Sequence, residues 1–377
     1  MARISKRRLS LLAVSFTLSL TLVYGGLAKS SAKVAGFGDL FPQYTFDSPA
    51  ASEDRVYLGL AEVETFTVAD IQADLIIFEV LNTYCTSCQR QASIYNGVFR
   101  LVEGDPVTKG RIKWLAVAVG NNETEVEAFR KEKSVPFPML TDVHFEFYDV
   151  IGGPGGVRTP LTMLVRKGDR GEGIVVESHI GFRGKEEEIF QEIKAALQYD
   201  LAYLKFKTAE RAVLPATEEL TPPFSDEDLL QTIKEGMEIP GVSVLEVRKI
   251  RFRKQVVYLG RVATGSESKQ FFAKVVSRPP LCDVCHDIHF TYVFDEAGKV
   301  VNFLPIYVTK NANRPWSDQD VQKMRDRIVG QSLLMPFRFD RDVDAVSGAT
   351  VTSVVIFDGI NRGKSIYADL MRKGYVK

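Results

Sequence analysis

All four cysteines of this 377-residue chain occur in two C-x-x-C pairs, Cys85/Cys88 and Cys282/Cys285. Cysteines at this spacing can form a disulfide and exchange it with another thiol. In an oxidising compartment such pairs are either cross-linked or kept redox-active by a supply of electrons. The spacing therefore indicates thiol–disulfide chemistry. The sequence around each pair is needed to distinguish this chemistry from a static disulfide or a metal or haem site.

The first pair lies where an apolar strand, Leu75 to Leu81, gives way to a segment with apolar residues at helical spacing. A thiolate at a helix N-terminus is stabilised by unpaired N–H groups and the helix dipole. We therefore predict that Cys85 is an exposed nucleophile and that Cys88 resolves the mixed disulfide. The alternatives are a static disulfide or half of a zinc site, for which no second cysteine pair lies nearby in the sequence.

The surrounding pattern predicts one α/β unit over about residues 36–200. Its elements are a strand over 112–119, a helix over 123–133, an extended segment over 135–140, a strand over 157–165, a hairpin at 168–173 and a helix over 185–197.

This order resembles the thioredoxin superfamily, and within it the extracytoplasmic TlpA/ResA-like thiol–disulfide oxidoreductases. The resemblance implies that Pro160 is cis and lies against the disulfide, and that the backbone of Thr159 pairs with a bound partner peptide. Pro160 could alternatively just begin an edge strand. Tyr84 stands where the family usually has Trp, and Thr86-Ser87 replaces its usual Pro, which leaves the redox potential open.

A proline-bearing, acidic linker is predicted over 201–223, followed by an α+β unit with an antiparallel sheet over 224–377. Near its end stands Asp344-Ala345-Val346-Ser347-Gly348-Ala349-Thr350. This segment resembles the FMN-binding domain of flavoprotein subunits of the Rnf complex and of the sodium-pumping NADH:quinone oxidoreductase.

That resemblance implies that a flavin transferase joins FMN to Thr350 through a phosphoester bond, with Asp344, Ser347, Gly348 and Ala349 completing the motif. Whether FMN is covalent or merely bound stays open. The other reading is a turn of small residues before a helix. The glutamate-bearing flavin contacts of the pump subunits are not evident, so the electron partners are also open.

The second pair is followed by a histidine, which gives Cys282-x-x-Cys285-His286. C-x-x-C-H is the attachment signature of haem c, with His286 as the iron ligand. A redox dithiol able to exchange with Cys85 and a metal site formed with His289 are the alternatives. No distal haem ligand is evident from the sequence.

The N-terminus has basic residues before an apolar run over 9–24 and small residues after it, the layout of a signal peptide over 1–28 or of a membrane anchor. We therefore expect an extracytoplasmic, periplasmic protein. The formal net charge is zero and no basic stripe interleaved with aromatics occurs, which argues against nucleic acid as a partner.

Together these features predict a redox protein that couples thiol–disulfide exchange to electron transfer through FMN. Its expected partners are thiol or disulfide proteins, membrane electron-transport components and the flavin transferase. One alternative is a reductase for cytochrome c maturation that uses the second unit for docking. Another is a non-enzymatic flavin or haem electron carrier.

Overall fold

The computed structural model describes residues 34–152, 157–205, 220, 222, 224–252, 255–282, 286–310 and 314–376. The predicted signal segment over 1–28 and most of the predicted linker lie outside these ranges. Among the described residues, no helix has both the length and the apolar character needed to cross a membrane.

The first unit contains a five-stranded sheet with helices around it and a separate two-stranded sheet formed by its first two strands; with the strands numbered as follows, the large sheet has the order β5-β4-β3-β6-β7. Its strands are β1 Phe46–Asp47, β2 Thr65–Phe66, β3 Leu75–Leu81, β4 Ile112–Val119, β5 Met139–Asp142, β6 Leu161–Lys167 and β7 Gly173–Ile180. Its helices are α1 Ser52–Leu58, α2 Thr86–Gly104, α3 Glu123–Lys133, α4 Glu146–Gly152 and α5 Glu186–Leu197, with a 3₁₀ turn at Val68–Asp70.

The central strands explain this layout, because every residue of β3 and nearly every residue of β4 is buried. Strands buried on both faces need helices on both sides of the sheet. Strand β6 lies between β3 and β7, so Pro160 precedes an internal strand and not an edge strand. Helix α3 has the predicted bounds and begins with a reciprocal cap between Asn122 and Glu125.

The second unit is built on a five-stranded antiparallel meander in which each strand pairs with the next along the chain, and it has a separate two-stranded sheet. Its strands are β8 Ser243–Phe252, β9 Gln255–Thr264, β10 Glu267–Arg278, β11 Ile288–Asp295 and β12 Val300–Tyr307, with short strands β13 Thr309–Lys310 and β14 Arg314–Pro315. Its helices are α6 Asp226–Met237, α7 Asp318–Ile328, α8 Arg341–Asp344, α9 Thr350–Asn361 and α10 Gly363–Arg372.

The two units pack directly against each other. One buried apolar cluster includes Phe147 and Tyr148 of the first unit and Phe290 and Tyr292 of the second. A separate cluster under α2 holds Cys85 and Cys88 and extends to Cys282. Both sheets fall within the predicted ranges 36–200 and 224–377. One large apolar cluster is shared between the two units, whereas another, which includes Leu229 and Val293, lies wholly within the second unit.

Candidate thiol exchange site

The turn between β3 and α2 is fixed by Asn82, whose side chain is fully buried. Its amide nitrogen donates to the Val119 carbonyl oxygen at 2.7 Å, and its amide oxygen accepts from the Tyr84 N–H at 3.0 Å. The Asn82 carbonyl oxygen accepts from the Cys85 N–H at 3.0 Å. These bonds tie the turn to the end of β4 and place Cys85 directly before α2.

Cys85 occupies the N-cap position of α2, and Cys88 lies one turn into the helix. Both are thiols. No side chain caps this helix and its first turn contains no acidic residue, so its N–H groups and dipole favour a thiolate at Cys85. Burial raises the pKa of the Cys88 thiol well above its ordinary value, and the adjacent Cys85 thiol raises it further. These environments fit a first nucleophile at Cys85 and a resolving thiol at Cys88.

The prediction of an exposed Cys85 is wrong, because its side chain is only 1% exposed. Its sulfur lies 3.6 Å from the Thr159 carbonyl oxygen. The Thr159–Pro160 bond is cis, as the resemblance implied. The cysteine is covered from this side by a segment of the second unit.

That segment is Leu281–Cys282, which lies along Thr159. The Leu281 carbonyl oxygen accepts from the Thr159 N–H at 2.5 Å and from the Thr159 hydroxyl at 2.7 Å. Thr159 and Cys282 form an isolated parallel bridge. Where the resemblance implied pairing with a partner peptide, Thr159 pairs with its own chain. The fold thus brings Cys85, Cys88, Thr159, Pro160 and Cys282 to one place.

The second pair is described only in part, because Cys285 lies outside the described residues. Cys282 is disulfide-bonded and only 5% exposed. His286 is exposed, and its ring centroid is 6.1 Å from that of Tyr307. His289 is buried, which lowers its pKa, and its Nδ1 is 3.0 Å from the Ser277 hydroxyl. Within the described part of the chain, no group of three His, Cys, Asp or Glu side chains could hold a metal ion.

The predicted flavin motif, residues 344–350, ends at the start of α9, where Thr350 is the first helical residue and is half-buried. Ser347 and Gly348 are exposed, and Gly348 has a φ of 71°, a left-handed conformation that glycine adopts without strain. Helix α9 has no side-chain cap and no acidic residue in its first turn. Unpaired N–H groups at the start of a twelve-residue helix suit a phosphate group, so the residues present fit the 5′-phosphate of FMN at Thr350.

Asp344 lies in the interior, where it forms an ion pair with Arg327 and accepts from the Asp340 N–H at 2.7 Å. The Ser353 hydroxyl oxygen accepts from the Val346 N–H at 3.1 Å. These contacts hold the motif as a closed turn, with Ser347, Gly348 and Thr350 towards its surface side.

The flavin motif and the thiol site are linked through α8. The Arg341 guanidinium lies 4.8 Å from the centroid of the Tyr84 ring, and Tyr84 directly precedes Cys85. A cleft of about 530 Å³ opens here between the two units, lined by Tyr84 and Glu125 on one side and by Phe339 and Arg341 on the other. The Tyr84 hydroxyl donates to the Glu125 carboxylate on the first-unit wall of this cleft.

Glu79 is a site residue that the sequence interpretation missed. Its side chain is fully buried in β3, and burial raises its pKa to about 8. By strand alternation it shares a face with Ile77 and Leu81, which pack in the cluster under α2 with the two cysteines. A single carboxyl group inside the apolar run Leu75–Leu81 was the available signal.

No family model matches the chain. No curated protein matches it either. Among solved structures, a thioredoxin-family thiol:disulfide interchange protein from Chlorobium tepidum is 15% identical, with a TM-score of 0.30 over 44% of this chain and 99% of its own. A secreted Mycobacterium tuberculosis disulfide oxidoreductase is 14% identical, with a TM-score of 0.28 over 35% and 88%. The thioredoxin domain of a Bacteroides vulgatus thiol-disulfide oxidoreductase is 13% identical, with a TM-score of 0.29 over 45% and 98%.

The first unit has a thioredoxin-like α/β fold. The features that carry this statement belong to the chain itself: the strand order, the thiol pair at the start of α2 and the cis bond before β6. At these identities and TM-scores the similarity to solved structures adds nothing about activity. The second unit is mostly antiparallel sheet with helices around it.

Proposed function

We propose that this chain is an extracytoplasmic redox protein in which Cys85 and Cys88 exchange a disulfide with Cys282 and Cys285. The observation that carries the proposal is the position of Leu281–Cys282: this segment pairs with Thr159, and Cys282 lies in the same buried cluster as both thiols. FMN at Thr350 is the second redox centre of the proposal. The expected partners outside the chain are a flavin transferase, a source of electrons and a thiol or disulfide protein.

The proposed exchange needs no reagent beyond the four cysteines. The Cys85 thiolate attacks the Cys282 sulfur, the bond between Cys282 and Cys285 breaks, and Cys285 leaves as a thiolate that takes a proton. The Cys88 thiolate then attacks the Cys85 sulfur and releases Cys282. The first pair ends as a disulfide and the second as a dithiol. The same steps in reverse pass two electrons from the second pair to the first.

The described residues favour a redox dithiol at the second pair over haem c. Haem attachment uses the sulfurs of both cysteines as thioethers. The Cys282 sulfur is already in a disulfide, and its side chain is buried in the same cluster as Cys85 and Cys88. His286 is exposed at the surface and contributes nothing to the thiol site. We therefore assign no step to haem.

FMN, when bound, can pass one electron or two, and would thereby connect single-electron carriers with a dithiol, which needs two. Thr350 would hold its phosphate at the start of α9, and Gly348 lets the phosphate approach the backbone. Asp344 and Arg327 keep the turn closed beneath it. The contact between Arg341 and Tyr84 supports placing this motif beside the thiol site.

The exchange is tested by leaving one cysteine in each pair. In C88S/C285S only Cys85 and Cys282 remain, and we expect mild oxidation with diamide to join them rapidly within one chain, because Thr159 aligns them. The matched control C88S/C282S leaves Cys85 and Cys285, and should cross-link roughly tenfold more slowly. Non-reducing electrophoresis gives the rates, and peptide mapping identifies the bond.

Equal rates for the two variants would show that the alignment of Cys282 has no role in exchange. Cross-links only between separate chains would overturn the intramolecular proposal altogether. A third variant, C85S/C285S, checks whether Cys88 can substitute for Cys85; we expect little product, since Cys88 is fully buried.

Flavin attachment is tested by intact mass and visible spectroscopy of protein made in a host with flavin-transfer and haem-attachment machinery. We expect the mass of one FMN joined with loss of water, a flavin spectrum, and loss of both in T350A but not in T352A. Thr352 is two residues further along α9 and is buried, with its hydroxyl donating to the Thr309 carbonyl oxygen. A haem spectrum would overturn the dithiol assignment. The absence of flavin mass and spectrum would overturn the FMN part of the proposal and favour the alternative, a thiol–disulfide reductase without flavin.

A further inference from the structure

The contact of Leu281–Cys282, here called the docked segment, with Thr159 limits which other polypeptides can reach Cys85. Both hydrogen-bonding groups of Thr159 that point at the segment, its N–H and its hydroxyl, are taken by the Leu281 carbonyl oxygen. Cys85 is 1% exposed and Cys88 is fully buried. A second polypeptide therefore has no path to the Cys85 sulfur along Thr159 while Leu281 and Cys282 stay in place.

Leu281 and Cys282 form no strand pair within the second sheet, so their release would break none of its pairs. Leu281 and Cys282 belong to the connection between β10 and β11, whose last pair is Arg278 with Ile288. The root of this connection is held separately, since Arg278 forms an ion pair with Asp358 at 2.7 Å. The tip is held by the Thr159 contact, by the burial of Leu281, which is 1% exposed within the shared apolar cluster, and by the burial of Cys282 in the thiol cluster.

We propose that Leu281–Cys282 is a built-in occupant of the place where an external disulfide substrate reaches Cys85. The external substrate class is then an extended, disulfide-bearing polypeptide with an apolar residue directly before its cysteine, as Leu281 stands before Cys282. Docked, the segment directs Cys85 to its own chain; released, it opens Cys85 to the external protein. This inference rests on the proposed exchange at Cys85 and Cys88.

The external reaction is a dithiol–disulfide exchange. The Cys85 thiolate attacks the substrate cysteine that takes the place of Cys282, and the other substrate sulfur leaves as a thiolate and is protonated. The Cys88 thiolate then attacks Cys85 and frees the second substrate thiol. The substrate disulfide is reduced to two thiols, and Cys85 and Cys88 are oxidised to a disulfide.

Access is tested in a C282S/C285S background, so that Cys85 and Cys88 are the only thiols. We expect iodoacetamide to modify Cys85 slowly in this background, and roughly tenfold or more faster once L281A is added, because local opening sets the rate. The matched control is L333A: Leu333 is also a leucine of the second unit, 1% exposed in the same cluster, but it lies away from Thr159. Modification in urea gives the upper limit.

Equal acceleration by L281A and L333A, or none by either, would overturn the occupant role. This outcome is independent of the exchange reaction, since no second disulfide is present. If L281A fails to fold, as judged by near-ultraviolet circular dichroism, the same comparison is made with L281V and L333V, which remove less volume.

Substrate class is tested with the disulfide form of the peptide Pro-Pro-Leu-Cys-Asp-Val-Cys-His, the sequence of residues 279–286. In the C282S/C285S/L281A protein we expect it to oxidise Cys85 and Cys88 at least about fivefold faster than the same peptide with Asp in place of Leu, since the position is apolar. Equal rates would overturn the stated preference.

Discussion

Glu79 is a carboxyl group that the fold encloses completely, and burial alone raises its pKa to about 8. At neutral pH this side chain therefore carries a proton. It lies on the face of β3 that supports α2 and the two cysteines. A buried carboxyl group with this pKa can hold or release a proton close to neutral pH. An apolar side chain at the same position of β3 could not.

The stability of the protein should therefore depend on pH through Glu79. Below about pH 4.5, the ordinary value, the carboxyl group is neutral in both the folded and unfolded states. As the pH rises towards about 8, the unfolded chain loses this proton first, so the free energy of unfolding falls by about 1.4 kcal/mol per pH unit. E79Q removes this loss, and its advantage over the wild type should grow to a few kcal/mol by pH 8.

Urea unfolding at a series of pH values measures this difference. E127Q is the matched control, because it makes the same change at an exposed position on α3. If the difference in the free energy of unfolding between E79Q and the wild type stays constant from pH 5 to 8, burial does not raise the pKa of Glu79.

At the scale of elements, three pieces converge on one junction. Helix α2 presents Cys85 at its N-cap, the turn before β6 presents Thr159, and the β10–β11 connection brings in Leu281 and Cys282. Helix α8 adds a fourth contact, from Arg341 to the Tyr84 ring. Each element contributes only one or two residues to this junction. We therefore expect a small shift of the β10–β11 connection to change the contacts of Cys85 while the two sheets keep their structure.

The same junction explains why Gly120 directly follows β4. Its φ is 68°, and a Cβ atom there would lie 2.7 Å from both the Phe145 ring and the Val354 side chain of α9. A side chain at this position would push α9 away from the first unit. Glycine at this position therefore allows α9, which begins at Thr350, to approach closely the sheet that carries the thiols.

At the scale of the whole molecule, ion pairs bind the two units together. Asp149 of α4 pairs with Arg362 and lies 3.7 Å from Arg278, and both arginines also pair with the buried Asp358. Among the described residues of the first unit, Asp149 is the only one that supplies a carboxylate to this group. The orientation of the units, and with it the position of Leu281 over Thr159, depends in part on this contact.

D149N should therefore loosen the junction without disturbing either sheet. Since Asp149 and Arg362 are both partly exposed, the expected loss in the free energy of unfolding is about 1 kcal/mol, and it should shrink at high ionic strength. We also expect faster alkylation of Cys85. Thermal unfolding and the alkylation rate at low and high salt measure both effects.

D369N provides the control, because Asp369 forms a comparable exposed pair with Arg372 inside the second unit. An equal change in the alkylation rate for D369N and D149N would rule out a specific role of the interunit pair.

The sequence by itself determined the local elements and the chemistry-bearing residues. The strands at 75–81 and 112–119, the helix at 123–133 and the antiparallel second sheet follow from short-range periodicity and capping. The thioredoxin-like arrangement and the cis bond before Pro160 followed from a resemblance carried by short motifs. Such signals lie within a few neighbouring residues, so a linear reading can detect them.

Only the tertiary structure decided what covers Cys85. The contact between Thr159 and Leu281 joins residues 122 positions apart, and no periodicity in either segment encodes it. The burial of Cys85, the shared core of the two units and the raised pKa of Glu79 all depend on packing between distant segments. Burial and pairing are properties of the assembled chain, which is why the nucleophile predicted to be exposed proved to be buried, with Leu281 and Cys282 packed along Thr159 beside it.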